Sequence, residues 1–147
     1  MCELRRVVSI PIAADEAIVG FNSARRVLAM RAADVLIIKP ALTGGLRASQ
    51  QLIHEATERG IQCVVTSTME GGVGVAGALH LVTASPTITL ECGLATLDLL
   101  VDDLLIDGLA IQQGFLTLPT QPGLGVRVDK AALAHYVHNS ANLRGIS

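Results

Sequence analysis

Residues 34–45 read Asp34-Val-Leu-Ile-Ile-Lys-Pro-Ala-Leu-Thr-Gly-Gly45. The run at 34–38 has four consecutive apolar residues after Asp34, is rich in β-branched residues and is closely followed by a proline, a pattern typical of a buried strand. A helical pattern over residues 46–59 comes after the two glycines. The stretch therefore predicts a strand followed by a helix, which is the unit of a parallel α/β sheet.

The same unit recurs along the chain. Four runs of β-forming residues have centres about 26 residues apart, near the length of one βα unit. These predicted strands cover residues 7–14, 34–38, 62–66 and 87–90. Helical patterns follow each of them, the first capped by Asn22 and the others at 46–59, 73–82 and 94–105. The sequence therefore predicts four consecutive βα units in a single domain.

The last part of the chain has a different pattern. Two short β-forming runs, at 109–111 and 114–118, predict a hairpin around Gln112-Gln113. A turn-rich segment and a short polar helix at 129–137 follow the hairpin.

Composition excludes several classes of function. Half of the 147 residues are apolar, 16% are charged and the net charge is −2, so a buried core is expected and a basic nucleic-acid surface is not. No apolar run approaches the roughly 18 residues of a membrane span. The three cysteines have no CxxC spacing, and the first residues show no signal-peptide pattern. Together these observations predict a cytoplasmic protein.

Chemically active residues cluster where the predicted strands end. In parallel sheets these carboxyl ends meet at one edge, where ligands bind. Carboxylates there can hold Mg²⁺, and a lysine beside a cation can exchange a proton near neutral pH. Each acidic residue alone is typical of a helix cap, but the alignment of the strand-end residues at one edge favours a functional site. The candidates are Asp15, Glu16, Lys39, Thr66, Ser67, Glu70, Glu91, Cys92 and Gly93.

Five motifs in a fixed order carry a family resemblance. They are Ile10-Pro-Ile-Ala-Ala-Asp-Glu16, Asp34 to Gly45 as quoted above, Ser67-Thr-Met-Glu-Gly-Gly-Val-Gly74, Glu91-Cys-Gly-Leu-Ala-Thr96 and Pro122-Gly-Leu-Gly-Val126. From about residue 4 to residue 129 the chain resembles the C-terminal half of an enolase-superfamily enzyme of the muconate-lactonising subgroup. The resemblance implies an α/β fold that is part of a TIM (β/α) barrel, from its fifth to its eighth unit plus a C-terminal return segment. A complete barrel needs about 250 residues, more than this chain has.

The resemblance also implies roles for the residues at the strand ends. Asp15 resembles a Mg²⁺ ligand, with Glu16 a lesser candidate and Mn²⁺ an alternative metal. Lys39 resembles the lysine that acts as acid, base or cationic partner, and Glu70 occupies a second position expected to be catalytic. A small carboxylate substrate is expected to contact residues of the third and fourth strand ends, namely Thr66, Ser67, Glu91, Cys92 and Gly93.

The implied reaction is Mg²⁺-dependent removal of a proton next to a carboxylate. The segment Cys92-Gly-Leu-Ala-Thr96 is similar to some o-succinylbenzoate synthases, which perform a dehydration in menaquinone biosynthesis. Muconate-type cycloisomerisation is the alternative in the same subgroup. Dipeptide epimerases usually have Asp-x-Asp where this chain has Glu91-Cys92-Gly93, which argues against that branch.

The sequence also departs from the family pattern. The capping domain, the first four strands, a Lys-x-Lys motif and two metal-ligating carboxylates have no counterpart in these 147 residues. We therefore expect the isolated chain to be a poor enzyme or an inactive half-barrel. Its two open sheet edges predict pairing with a second copy of the chain.

Two other patterns give alternative interpretations. Gly72-Val-Gly74-Val-Ala-Gly77 is a GxGxxG that mimics a dinucleotide site, with Glu91 at the next strand end. Five residues separate these glycines from the preceding strand, so close helix packing is the simpler interpretation. His135 and His138 have a helical i, i+3 spacing that suits a metal, although exposed side chains are the simpler reading.

Overall fold

The computed structural model describes residues 1–137. At its centre is a parallel sheet with the order β1-β2-β3, formed by Ala13–Ala14, Val35–Ile38 and Gln62–Val65. A parallel bridge between Thr66 and Gly93 extends the pairing beyond β3. The chain is therefore α/β, as the sequence predicts.

The other elements, in chain order, begin with α1, which precedes β1. They are α1 (Cys2–Val7), α2 (Phe21–Ala29), α3 (Pro40–Thr43), α4 (Leu46–Thr57), α5 (Gly72–Thr83), a 3₁₀ turn (Leu97–Leu99), a hairpin of β4 (Ile111–Gln112) and β5 (Phe115–Leu116), and α6 (Lys130–Tyr136). The predicted helices at 46–59 and 73–82, the hairpin and the last helix are confirmed within a few residues. None of the helices in the described part of the chain has the length and apolar character needed to cross a bilayer.

Helices α2, α4 and α5 pack on one side of the sheet. Crossovers of one hand between strands in sequential order place successive helices on the same face, and α4 contacts both α2 and α5. Leu36, Ile38 and Val65 point towards these helices and are fully buried. Alternate strand residues such as Ile37 and Val64 point to the opposite face and stay half-buried. Lys39 continues that second face at the end of β2.

Two predictions about the first unit are wrong. Residues 7–14 do not form one strand, because the chain is helical over Cys2–Val7 and pairs with β2 only at Ala13–Ala14. Pro11 lacks an N–H and interrupts any longer ladder. The cap of α2 is Gly20, with a φ of +82°, and Asn22 lies inside the helix. Most residues adopt a positive φ only with strain, whereas glycine does so freely.

The fourth predicted strand and helix are also wrong. Residues 87–90 form no strand: Ile88 N donates to Ser85 O and closes a turn. This segment pairs with the sheet only at Gly93, through the parallel bridge to Thr66. Residues 94–105 contain one 3₁₀ turn instead of a helix. Asp102 and Asp103 accept hydrogen bonds from the N–H groups two residues ahead, and such bonds compete with helix formation.

Candidate functional site

Lys39 stands at the carboxyl end of the central strand. Its backbone is extended, and its carbonyl accepts hydrogen bonds from the N–H and the hydroxyl of Thr43 in the turn that begins at Pro40. The turn ends the strand abruptly, so the lysine side chain leaves the sheet beside the end of β1. That side chain is only 15% exposed.

Two carboxylates that follow β1 meet the lysine. Lys39 Nζ lies 2.6 Å from Asp15 Oδ1 and 3.2 Å from Glu16 Oε1. Asp15 Oδ1 is buried, and the ammonium is its only polar partner among the described residues. Glu16 is largely exposed. The structure therefore brings three of the predicted site residues together.

The ion pair favours the protonated form of the lysine. The hydrogen bond to Asp15 outweighs the effect of burial and raises the pKa of Lys39. The hydrogen bond from Lys39 likewise lowers the pKa of Glu16. In this arrangement Lys39 is a cation at neutral pH, suited to stabilise negative charge.

Thr66, Ser67 and Gly93 hold the far edge of the sheet. Gly93 O accepts the Thr66 hydroxyl at 2.7 Å and Ser67 N at 3.3 Å, while Gly93 N donates to Val65 O. A Cβ on residue 93 would lie 2.7 Å from Thr66 Oγ1, so the close approach requires glycine. The Ser67 and Thr96 hydroxyl oxygens lie 2.5 Å apart. These hydroxyls are engaged in holding the chain together beside the site.

Glu70 lies on the loop after β3 and is fixed by its neighbour Thr68. One carboxylate oxygen accepts the Thr68 N–H at 2.6 Å, and the other accepts its hydroxyl at 2.6 Å. Burial raises the pKa of Glu70, but these hydrogen bonds outweigh it and leave the pKa below its ordinary value. Among residues 1–137, no hydrogen bond or ion pair joins Glu70 to Lys39.

Glu91 and Cys92 lie beside the Gly93 bridge. Glu91 is exposed and Cys92 is half-buried. Burial raises the pKa of the Cys92 thiol, so it stays protonated at neutral pH. Neither is linked to Lys39 or Asp15 by a hydrogen bond within the described part of the chain.

Neither metal hypothesis has a complete set of ligands here. Over residues 1–137 no group of three or more His, Cys, Asp or Glu side chains is arranged to hold a metal ion. Asp15 and Glu16 supply two carboxylates, and both are engaged by Lys39, so these residues alone do not fit a Mg²⁺ site. His135 packs edge-on against Tyr136, and His138 lies outside the described residues.

The glycine motif at the start of α5 serves packing. Gly72 N donates to Asp103 O at 2.9 Å. A Cβ on residue 72 would lie 2.3 Å from Leu105 Cδ1. Residues 103–105 therefore occupy the space that a phosphate would need, which favours the packing interpretation over a dinucleotide site.

Sequence reasoning missed two residues of this region. Thr68 holds Glu70, and Thr96 pairs with Ser67. The Thr68-Met-Glu70 spacing was a usable signal, because Ser and Thr hydroxyls often bond groups two residues ahead. No local signal linked Ser67 to Thr96, since the contact depends on the Gly93 bridge.

The chain matches a known protein family over most of its length. The sequence model described as "Enolase C-terminal domain-like" matches residues 1–132. Muconate cycloisomerase 1 of Rhodococcus opacus is 32% identical over 139 residues, which cover 95% of this chain and 37% of the relative. The o-succinylbenzoate synthase of Thermobifida fusca is 43% identical over 116 residues, 79% of this chain and 36% of the relative.

A third curated relative has another named activity. The L-Ala-D/L-Glu epimerase of Clostridium acetobutylicum is 34% identical over 119 residues, 81% of this chain and 33% of the relative. The fold is similar to that of muconate lactonizing enzyme from Pseudomonas putida, with a TM-score of 0.87 and 27% identity over 93% of this chain and 38% of that one. The chain spans little more than a third of the length of these proteins.

Proposed function

Because this chain belongs to the enolase C-terminal domain-like family, whose named relatives are enzymes, we propose that it supplies part of an active site that removes a proton next to a carboxylate. The observation that carries the proposal is the Lys39–Asp15 ion pair at the carboxyl edge of the sheet, in which the lysine side chain is 15% exposed. Ligands of parallel α/β folds bind at that edge.

The architecture supports a half-barrel. Strands in sequential order with helices on one face are the arrangement from which a (β/α) barrel is built. In that arrangement β1, β2, β3 and the Gly93 bridge stand for the fifth to eighth strand positions. The half-buried face that carries Ile37, Lys39 and Val64 would line the interior.

Within this site Lys39 is the residue proposed to stabilise the negative charge that develops during the reaction. Its raised pKa keeps it protonated at neutral pH, which suits a cationic partner of a developing enolate better than an acid or base. Glu70, ionised and held by Thr68, is the second candidate for proton transfer. Glu91, Cys92 and Gly93, with Thr66 and Ser67, lie at the neighbouring edge, where a small carboxylate substrate is proposed to bind.

The proposed cofactor is Mg²⁺, with Mn²⁺ as its alternative. Asp15 would hold it, and Glu16 stands close enough to assist, once further ligands from outside the described residues complete the set. A bound divalent cation supplies positive charge that stabilises an enolate oxygen.

The proposed reaction is that of o-succinylbenzoate synthase, a dehydration in menaquinone biosynthesis. The 43% identity to the Thermobifida fusca enzyme supports this choice. Muconate cycloisomerisation is the second candidate, supported by the longer match to the Rhodococcus opacus enzyme. Glu91-Cys92-Gly93, in place of Asp-x-Asp, does not favour dipeptide epimerisation.

A chimera tests the proposal. The part of the Thermobifida fusca enzyme that precedes its match to this chain is joined to this chain, and the product is assayed with the substrate of o-succinylbenzoate synthase and with muconate. Activity on the first substrate that falls about 10²-fold to 10⁴-fold in Lys39→Ala supports the assignment. Arg47→Ala, which removes an exposed charge from α4, is the matched control.

Other outcomes separate the alternatives. Turnover of muconate alone would select the second reaction. A folded chimera that is inactive on both substrates, but whose parent enzyme is active under the same conditions, would favour an inactive half-barrel.

We also propose a partner, a second copy of the chain, and a cytoplasmic location. The edge of β1 and the open face of the sheet support pairing with a second copy, and sedimentation of the chain as a clean monomer would overturn this. The odd number of cysteines supports a cytoplasmic location.

A further inference from the structure

A groove lies at the amino ends of the strands, opposite the edge that carries Lys39. Its volume is about 780 Å³, and its lining includes Pro11 before β1, Asp34 before β2 and Gln62 at the start of β3. Asp34 and Lys39 stand at opposite ends of β2, about 16 Å apart along an extended chain. The groove is therefore distinct from the candidate active site.

Positive charge converges on this groove. Arg5 and Arg6 come from α1, Arg31 from the loop before β2, and Arg59 from the loop before β3, and the one carboxylate in the lining is Asp34. The whole chain has a net charge of −2, whereas the lining of this groove, with four arginines and one carboxylate, is positively charged.

The carboxylate of Asp34 already has two hydrogen-bond partners. Asp34 Oδ1 lies 2.6 Å from Arg5 Nε, and Oδ2 accepts Ile12 N at 2.9 Å. The hydrogen bond from Ile12 and the contact with Arg5 keep the pKa of Asp34 low, so it remains ionised and paired. Asp34 therefore neutralises Arg5 and leaves the other guanidinium charges uncompensated.

The remaining arginines have spare donors. Arg59 uses one guanidinium nitrogen to reach Glu55 O. Within residues 1–137 the side chains of Arg6 and Arg31 form no hydrogen bond or ion pair, and both are exposed. Guanidinium groups with free N–H pairs match the oxygens of phosphate.

The groove also has apolar walls. Ile10 and Met30 line it and remain 68% and 65% exposed. A concave site that combines apolar walls with a few convergent charged groups is typical of small-molecule pockets, and its volume is within their usual range. The size exceeds what a single inorganic phosphate would fill.

We propose that this groove binds a small phosphorylated molecule, with Arg6, Arg31 and Arg59 on its phosphate groups and Ile10 and Met30 against its apolar part. Arg5 is held by Asp34 and shapes the wall. This site does not depend on the proposed reaction at Lys39.

Calorimetric titration of the full chain with ADP and with pyrophosphate tests the proposal. We expect saturable ADP binding that weakens as salt is added. Arg6→Gln and Arg31→Gln each weaken it by about threefold to fivefold, as expected for exposed charge pairs. Arg47→Gln removes the same charge from α4, outside the groove, and leaves the affinity unchanged. Weaker binding of pyrophosphate than of ADP assigns part of the affinity to the apolar wall, and equal binding assigns it to the phosphates.

A second measurement needs no variant. On addition of ADP, the amide NMR signals of residues 30–34 and 59–62 shift while those of residues 66–70 do not. The proposal is overturned if ADP shows no saturable binding, if Arg47→Gln weakens it as much as Arg31→Gln, or if a tricarboxylate binds as tightly as ADP.

Discussion

Lys39 Nζ lies 2.6 Å from Asp15 Oδ1, and this ion pair joins the carboxyl ends of β1 and β2. The lysine is mostly buried and the carboxylate oxygen has no other polar partner in the described residues. The contact with Asp15 therefore raises the pKa of Lys39 and favours its charged form. The stability of this edge and the chemistry proposed for it both depend on that pair.

Replacing Lys39 with methionine is expected to have an effect that depends on pH. The hydrogen bond to Asp15 raises the pKa of Lys39 above that of the unfolded chain. The stabilisation is therefore complete below the unfolded pKa of about 10.4 and is lost as the pH rises through the higher folded pKa. The difference in melting temperature between wild type and variant should stay constant from about pH 7 to about pH 9 and shrink above about pH 10.5.

Arg47→Met is the control for this experiment, because Arg47 is exposed and far from both carboxylates in the sequence. A Lys39→Met difference that persists unchanged at about pH 11.5 would contradict the ion pair as its cause.

Magnesium is expected to bind the isolated chain weakly. Asp15 and Glu16 already face Lys39, and Mg²⁺ would have to displace the ammonium with two carboxylates and water as its ligands. About 1 mM Mg²⁺ should leave the melting temperature of the wild type unchanged. Lys39→Met frees both carboxylates and should increase the affinity measured by calorimetry. Micromolar binding by the wild type would contradict this prediction.

The meeting of Lys39 and Asp15 could be predicted from the sequence because it depends on the sheet alone. Two apolar runs of strand length, each followed by an ionisable residue, place those residues at one edge whenever the strands are parallel neighbours. The register that pairs Ala14 with Leu36 then brings the two side chains within reach. The inward faces of α2 and α4 were predictable from helical periodicity, whereas the run at 73–82 is apolar nearly all round and predicts only a helix packed on several sides.

The fourth unit could not be predicted because side chains compete there with the backbone pattern. Residues 94–105 look helical by hydrophobic periodicity, but the Asp102 and Asp103 carboxylates bind N–H groups two residues ahead, and Leu104 adopts a φ of +65°. The link of Thr66 to Gly93 depends on a bridge between residues far apart in the chain. Neither feature has a periodic signal.

Gly72→Ala is expected to destabilise the fold by about 1–3 kcal/mol, the usual cost of overpacking. The new Cβ would lie 2.3 Å from Leu105 Cδ1 in a buried contact. Gly77 in the same helix is the matched control, since its nearest atoms, those of Leu46, are at 3.7 Å. Gly77→Ala should be neutral or stabilise the helix by about 0.5–1 kcal/mol. Urea unfolding measures both, and equal effects of the two substitutions would refute the packing role of Gly72.

Thr68→Val is expected to raise the pKa of Glu70. The Thr68 hydroxyl and N–H both donate to this carboxylate and hold its pKa below the ordinary value despite burial. A lowered folded pKa means that the interaction stabilises the fold above the unfolded pKa of about 4.3 and is lost as the pH falls through the folded pKa. Valine removes the hydroxyl donor and keeps the N–H, so the pKa should rise only part of the way.

The carboxyl ¹³C shift of Glu70, followed by NMR as a function of pH, measures this directly. Thr68→Ser keeps a hydroxyl at the same place and should restore the low pKa, which separates the hydrogen bond from any general loss of packing. If valine and serine give the same titration curve as threonine, the hydroxyl does not hold Glu70. The low pKa of Glu70 would then depend on the Thr68 N–H and on the bend at Met69, whose φ is +68°. In that case the loop backbone alone would position the carboxylate for proton transfer.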